Sequence, residues 1–113
     1  MVNKEILQEI VLKLAKCYKR VYGKSLRHIY LYGSYARGDY QIDSDIDLVA
    51  IVAGERMVLQ QQLKQVWYYA NDLELEYGII ISPTVIPEKE FMDYRAALPY
   101  YANIIKDGIE YGA

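Results

Sequence analysis

A chain of 113 residues with 53% hydrophobic and 25% charged residues has the composition of an ordinary globular domain, long enough to bury about two-thirds of its unfolded surface around one core. A net charge of −2 argues against gripping extended nucleic acid by bulk electrostatics, and no apolar run approaches the roughly 20 residues that span a bilayer. One cysteine, Cys17, excludes an intramolecular disulfide or a cysteine metal cluster, and with the polar start Met-Val-Asn-Lys-Glu it points to the cytosol.

In chain order, Lys4 to Tyr22 carries apolar positions at Leu7, Val11, Leu14 and Tyr18, a helical stripe that Asn3 caps and Gly23 stops. Cys17 lies within it as a packing residue. Lys13, Lys16, Lys19, Arg20, Lys24 and Arg27 form a basic run that reads as a solvated face. Ile29 to Tyr32 is a short strand and Asp45 to Val52 a second. Glu55 to Leu75 reads as a helix, with Val58, Leu59, Leu63, Val66, Trp67 and Ala70 on one broad face. Tyr77 to Ile86 is apolar and β-branched enough for a third, largely buried strand, which Pro83 bends or confines to an edge. Short helices follow over Glu88 to Ala97 and from Pro99 to Lys106, with Gly108 as a stop. No repeat or linker divides the chain, so residues 1–113 are expected to form one α/β (α+β) domain, a small mixed sheet of three or four strands backed by helices.

Between the first two strands, residues 33 to 48 read Gly-Ser-Tyr-Ala-Arg-Gly-Asp-Tyr-Gln-Ile-Asp-Ser-Asp-Ile-Asp-Leu. Side chains two apart in a strand share a face, so Asp45 and Asp47 project together while Ile46 and Leu48 point away. Two carboxylates at a strand entrance make a hard, oxygen-rich site suited to Mg²⁺. Gly33 and Gly38 let backbone approach a ligand, Ser34 offers a hydroxyl, and Arg37 a fork that matches phosphate oxygens. The bland reading is a connector in which Asp43, Ser44 and Asp45 cap a turn and Arg37 is a solvated or ion-paired side chain. It gives no reason to place Asp47 inside an apolar strand, where an unpaired charge is costly.

The block Gly33, Ser34, Ala36, Arg37, Gly38, Ser44, Asp45 and Asp47 resembles the signature of the nucleotidyltransferase superfamily that includes DNA polymerase beta, whose small members are called minimal nucleotidyltransferases. The resemblance covers residues 27 to 53 closely and the remainder only by order of elements. It implies a Mg²⁺-dependent transfer of a nucleoside monophosphate, AMP from ATP, to a hydroxyl. Asp45 and Asp47 would be catalytic and metal-binding, and Gly33, Ser34 and Arg37 nucleotide-binding. It also implies pairing with a helical HEPN-class toxin whose tyrosine is the acceptor. Catalytic relatives carry a third carboxylate on the later strand, and Glu76, counted with Gly78, Ile80 and Ser82 on one strand face, is the candidate here. If that acid is lost, a second reading opens: a degenerate fold that binds a partner, or senses a nucleotide, without transfer.

Tyrosine occurs 13 times against one Phe and one Trp, an excess suited to half-buried positions at a core edge or an interface. His28, the single histidine, is read as a boundary residue.

Overall fold

A computed structural model describes residues 3–112. The first helix, α1 (Lys4–Tyr22), begins where the Asn3 side chain accepts the Ile6 N–H at 2.8 Å, and it ends at Gly23, whose φ of +58° suits a residue without a Cβ. Then come β1 (Leu26–Tyr32), the single helical turn α2 (Ser34–Arg37), β2 (Ile46–Val52), α3 (Arg56–Tyr77), β3 (Ile81–Pro87), α4 (Glu88–Tyr94), α5 (Pro99–Asp107) and β4 (Ile109–Tyr111). The strands form one sheet in the order β3-β2-β1-β4, with β2 parallel to β3 and the other two pairings antiparallel. The expected mixed sheet backed by helices is therefore present, with four strands.

Alternation along β2 divides the interior. Ile46, Leu48, Ala50 and Val52 belong to the larger cluster, which also holds Ile10, Leu14 and Tyr18 of α1 and Leu63, Val66 and Ala70 of α3. Val49 and Ile51 face the opposite way, into a smaller cluster with Ile86, Phe91, Tyr101 and Ile104. A central strand covered on both faces needs this near-continuous apolar run, and that is why a carboxylate at Asp47 stands out. Cys17 is buried in the larger cluster, and burial pushes its thiol pKa up. Tyr18 and Tyr22 add to the same cluster while their hydroxyls donate to the carbonyls of Thr84 and Leu59 at 2.9 and 2.8 Å.

One expectation is corrected. The segment 77–80 is not strand: α3 continues to Tyr77, Gly78 closes it in the left-handed conformation (φ +67°, ψ +37°), and β3 starts at Ile81. The helix persists because Glu74 reaches past its own C-terminus to accept the Ile81 N–H at 2.8 Å, joining helix end to strand start. Glu76 is thus helical, pairs with Lys13 on α1 at 3.8 Å, and shares no strand face with Ser82. Gly108 ends α5 as expected, and beyond it β4, a strand not foreseen, pairs with β1, with His28 meeting Glu110 at 2.6 Å across that pairing. Pro83 sits on the edge strand β3, where a missing N–H costs no ladder bond on the outer side.

Candidate active site

The loop from β1 to β2 places the candidate residues at one end of the sheet. Gly33 follows the last residue of β1 with φ +77° and ψ −157°, a conformation that a residue with a Cβ rarely adopts. Its carbonyl accepts the N–H groups of Ala36 and Arg37, both at 3.1 Å, which folds Ser34–Arg37 into one helical turn. Gly38 ends that turn with φ +86°. An added Cβ on Gly33 would lie 2.6 Å from Oδ2 of Asp47, so the turn rests directly against that carboxylate.

Asp47 is the second residue of β2, paired with Tyr32 of β1 on one side and with Ser82 of β3 on the other. Asp45 stands just before the strand, and Ile46 between the two acids is fully buried on the opposite face. Asp47 lies on the face away from Ile46, and its carboxyl feels the charge of Asp45. Both side chains are half-buried. Burial raises the pKa of Asp47, the charge of Asp45 raises it further, and the Arg37 guanidinium partly opposes both. Negative charge is concentrated here with little built-in compensation. That is the electrostatic condition a divalent cation satisfies.

Arg37 reaches Asp39 at 3.2 Å, and both are exposed, so the ion-paired reading describes its resting contact. Its charge also acts on Asp47, opposing the rise of that carboxyl's pKa. Ser44 behaves as the connector reading has it: its hydroxyl accepts the Gln41 N–H at 2.8 Å and its own N–H donates to the Gln41 carbonyl at 3.0 Å. This closed turn fixes the approach to Asp45.

Among the described residues, no group of three or more His, Cys, Asp or Glu is placed to hold a metal ion. The β2–β3 register explains why. The position beside Asp47 is Ser82, and the next on that face is Thr84, whose hydroxyl donates to the Leu48 carbonyl at 3.0 Å. Two carboxylates still fit Mg²⁺, which commonly takes one or two protein carboxylates and completes its shell with phosphate oxygens and water.

Sequence reasoning missed the tyrosine wall on this face. Tyr32, opposite Asp47 in the ladder, packs on the smaller cluster, and its hydroxyl lies 3.0 Å from that of Tyr100 at the start of α5. Burial pushes the Tyr32 pKa well above the usual tyrosine range, with Tyr100 and Asp47 adding to it. Tyr32 at the end of a strand leading into the motif was the available signal. Nothing local announced Tyr100.

A concavity of about 400 Å³ lies elsewhere, between α1, α2 and β4, lined by apolar groups such as Leu7, Leu31 and Tyr35. Leu31 and Tyr35 belong to the larger cluster, so this hollow opens on the face away from Asp47 and contains neither acid. Polyphosphate chemistry requires the charged groups, and the acid-bearing end of β2 is the candidate site.

Comparison with known proteins identifies a family and a fold. Residues 11–111 match the family model of the nucleotidyltransferase domain. Two proteins of Methanocaldococcus jannaschii described as candidate protein adenylyltransferases are similar to the chain. One is 32% identical over 77 residues, covering 68% of this chain and 76% of its own. The other is 26% identical over 101 residues, covering 89% and 93%. Among solved structures, a candidate minimal nucleotidyltransferase superposes with a TM-score of 0.61 at 19% identity, covering 96% of this chain and 95% of its own. A toxin–antitoxin structure with AMP-PNP gives a TM-score of 0.55 at 19% identity, covering 94% and 73%. At those identities the solved structures speak for the fold; the family model and the first relative speak for the family. The chain belongs to the nucleotidyltransferase domain family and is a transferase.

Proposed function

We propose that this chain transfers AMP from ATP, with Mg²⁺, to a hydroxyl on a partner protein, and that the acceptor is a tyrosine of a HEPN-class toxin which the modification silences. The observation that carries the reading is the contact between the Gly33 turn and Asp47: the glycine turn and the half-buried acid sit directly against each other. The description of the curated relatives as protein adenylyltransferases supports a protein acceptor. A fold neighbour solved as a toxin–antitoxin complex with AMP-PNP supports an adenine nucleotide and a toxin.

Asp45 and Asp47 are the groups that hold the metal. When bound, Mg²⁺ supplies Lewis-acid neutralisation of the charge that builds on the phosphates and the leaving group. The Gly33–Ser34 turn receives the β- and γ-phosphates, because the first N–H groups of a helical turn point outward and the Ser34 hydroxyl adds a donor. Arg37 exchanges its Asp39 contact for a phosphate oxygen, which a solvated arginine does at little cost. Thr84, through its hydrogen bond to the Leu48 carbonyl, and the strand ladder hold the acid-bearing face in place. The acceptor's oxygen attacks the α-phosphorus, and pyrophosphate leaves.

Ser82 in place of a third acid leaves the acceptor's proton to the acceptor's own surroundings. This suits a phenol, which ionises far more readily than a sugar or serine hydroxyl. The test is incubation with α-labelled ATP, Mg²⁺ and the protein encoded beside this chain, read by intact mass of both. AMP mass on the partner, absent with Asp45→Ala plus Asp47→Ala, is the expected result. A stable complex with no added mass would favour neutralisation by contact.

A further inference from the structure

We propose that Tyr100 is a nucleotide acceptor within the chain itself, so that the protein adenylylates its own α5 in cis. The proposal rests on the reading of Asp45 and Asp47 given above and adds a second substrate to that site.

Tyr32 pairs with Asp47 in the β1–β2 ladder, so the two side chains leave the sheet side by side on one face. The Tyr32 hydroxyl lies 3.0 Å from the Tyr100 hydroxyl, and the rings meet edge-on with centroids 5.8 Å apart at 74°. That contact anchors the Tyr100 oxygen one side chain away from Asp47. Tyr100 is also 44% exposed, so a nucleotide can reach it. The helix that carries it is held in place, since Tyr101 is buried against Phe91 and its hydroxyl donates to Glu90 at 2.5 Å.

Three other tyrosines lack this combination. Tyr18 and Tyr22 are buried with hydroxyls committed to backbone carbonyls, and the Tyr77 hydroxyl accepts from Lys13 between α1 and α3. Tyr100 pairs an accessible phenol with an address beside the acids.

The step balances without a further reagent. The phenolic oxygen of Tyr100 bonds to the α-phosphorus of ATP, and the bond from that phosphorus to the bridging oxygen of the β-phosphate breaks. Pyrophosphate departs with the bonding electrons, and the phenolic proton passes to water, which reaches this exposed group. Tyr32 shares a hydrogen bond with the Tyr100 hydroxyl and is its positioning residue.

The full chain is incubated with Mg·ATP and followed by intact mass and peptide mapping, with Mg·ATP binding measured in parallel by calorimetry. The expected result is one AMP per chain on Tyr100, formed at a rate independent of protein concentration and lost in Tyr100→Phe and in Asp47→Asn. Tyr32→Phe should slow it about fivefold, the equivalent of one neutral hydrogen bond. An adduct elsewhere, one that survives Tyr100→Phe, or a rate that rises with protein concentration overturns the proposal. No adduct alongside Asp47-dependent Mg·ATP binding overturns self-modification and leaves the site reading standing. Absence of both adduct and binding overturns the two together.

Discussion

Gly33 and Asp47 are matched to each other: the position a Cβ would take on Gly33 is 2.6 Å from Oδ2 of Asp47, and the φ of Gly33 is +77°. Both features exclude a side chain, one by space and one by conformation. Gly33→Ala should therefore cost about 1–2 kcal/mol of stability and lower nucleotidyl transfer by about 100-fold, because the carboxylate must move. Gly38→Ala is the control: its φ is +86°, but nothing lies within 4 Å of its added Cβ. It should cost about 1 kcal/mol and leave transfer within a few-fold of the parent. Chemical denaturation and transfer rates on both variants check the contrast.

Burial and Asp45 raise the pKa of Asp47 above its ordinary 3.8, so the folded chain holds that proton to higher pH than the unfolded chain does. Between 3.8 and the raised folded value the folded state binds more protons, and stability falls as pH rises through that window. Asp47→Asn should accordingly be more heat-stable than the parent at neutral pH. The difference should close as pH drops below 3.8. Thermal unfolding of both proteins across pH measures it, and Mg·ATP should raise the midpoint of the parent only.

Ser82 occupies the register position beside Asp47 on the edge strand. Ser82→Asp adds a third negative charge there, which should lower metal-free stability on the order of 1 kcal/mol by like-charge repulsion. Mg²⁺ should restore it. Melting curves in chelator and in Mg²⁺, for parent and variant, give the answer.

Glu76 is paired with Lys13 at 3.8 Å on an exposed helix end, away from the acids. Glu76→Gln should change stability by less than about 0.5 kcal/mol and leave transfer within about twofold. A large loss of transfer in this variant would return Glu76 to the site.

What the sequence made legible is what short-range chemistry dictates. Asn3 and Gly23 bracket α1 because a cap acceptor and a left-handed stop act on their own turn. Asp47 could be read because a charge inside an apolar strand has no packing explanation. Gly78 was harder: a glycine inside an apolar run fits a weakened strand or a helix C-cap, and the long-range contacts of Tyr77 and Glu76 with Lys13 go with the helical choice. β4 is three residues long and too short for any alternation to show; it is visible only through its pairing with β1. Tyr32 and Tyr100 are 68 residues apart, and only the folding of α5 over the acid-bearing face of the sheet makes them neighbours.

The measurement closest to the central claim compares ATP labelled on the α-phosphate with ATP labelled on the γ-phosphate, using the chain, Mg²⁺ and the protein encoded beside it. The account predicts α-label on protein, γ-label released as pyrophosphate, and neither outcome with Asp45→Asn plus Asp47→Asn. Protein labelled from the γ-phosphate, or α-label transferred undiminished by the double variant, would contradict it.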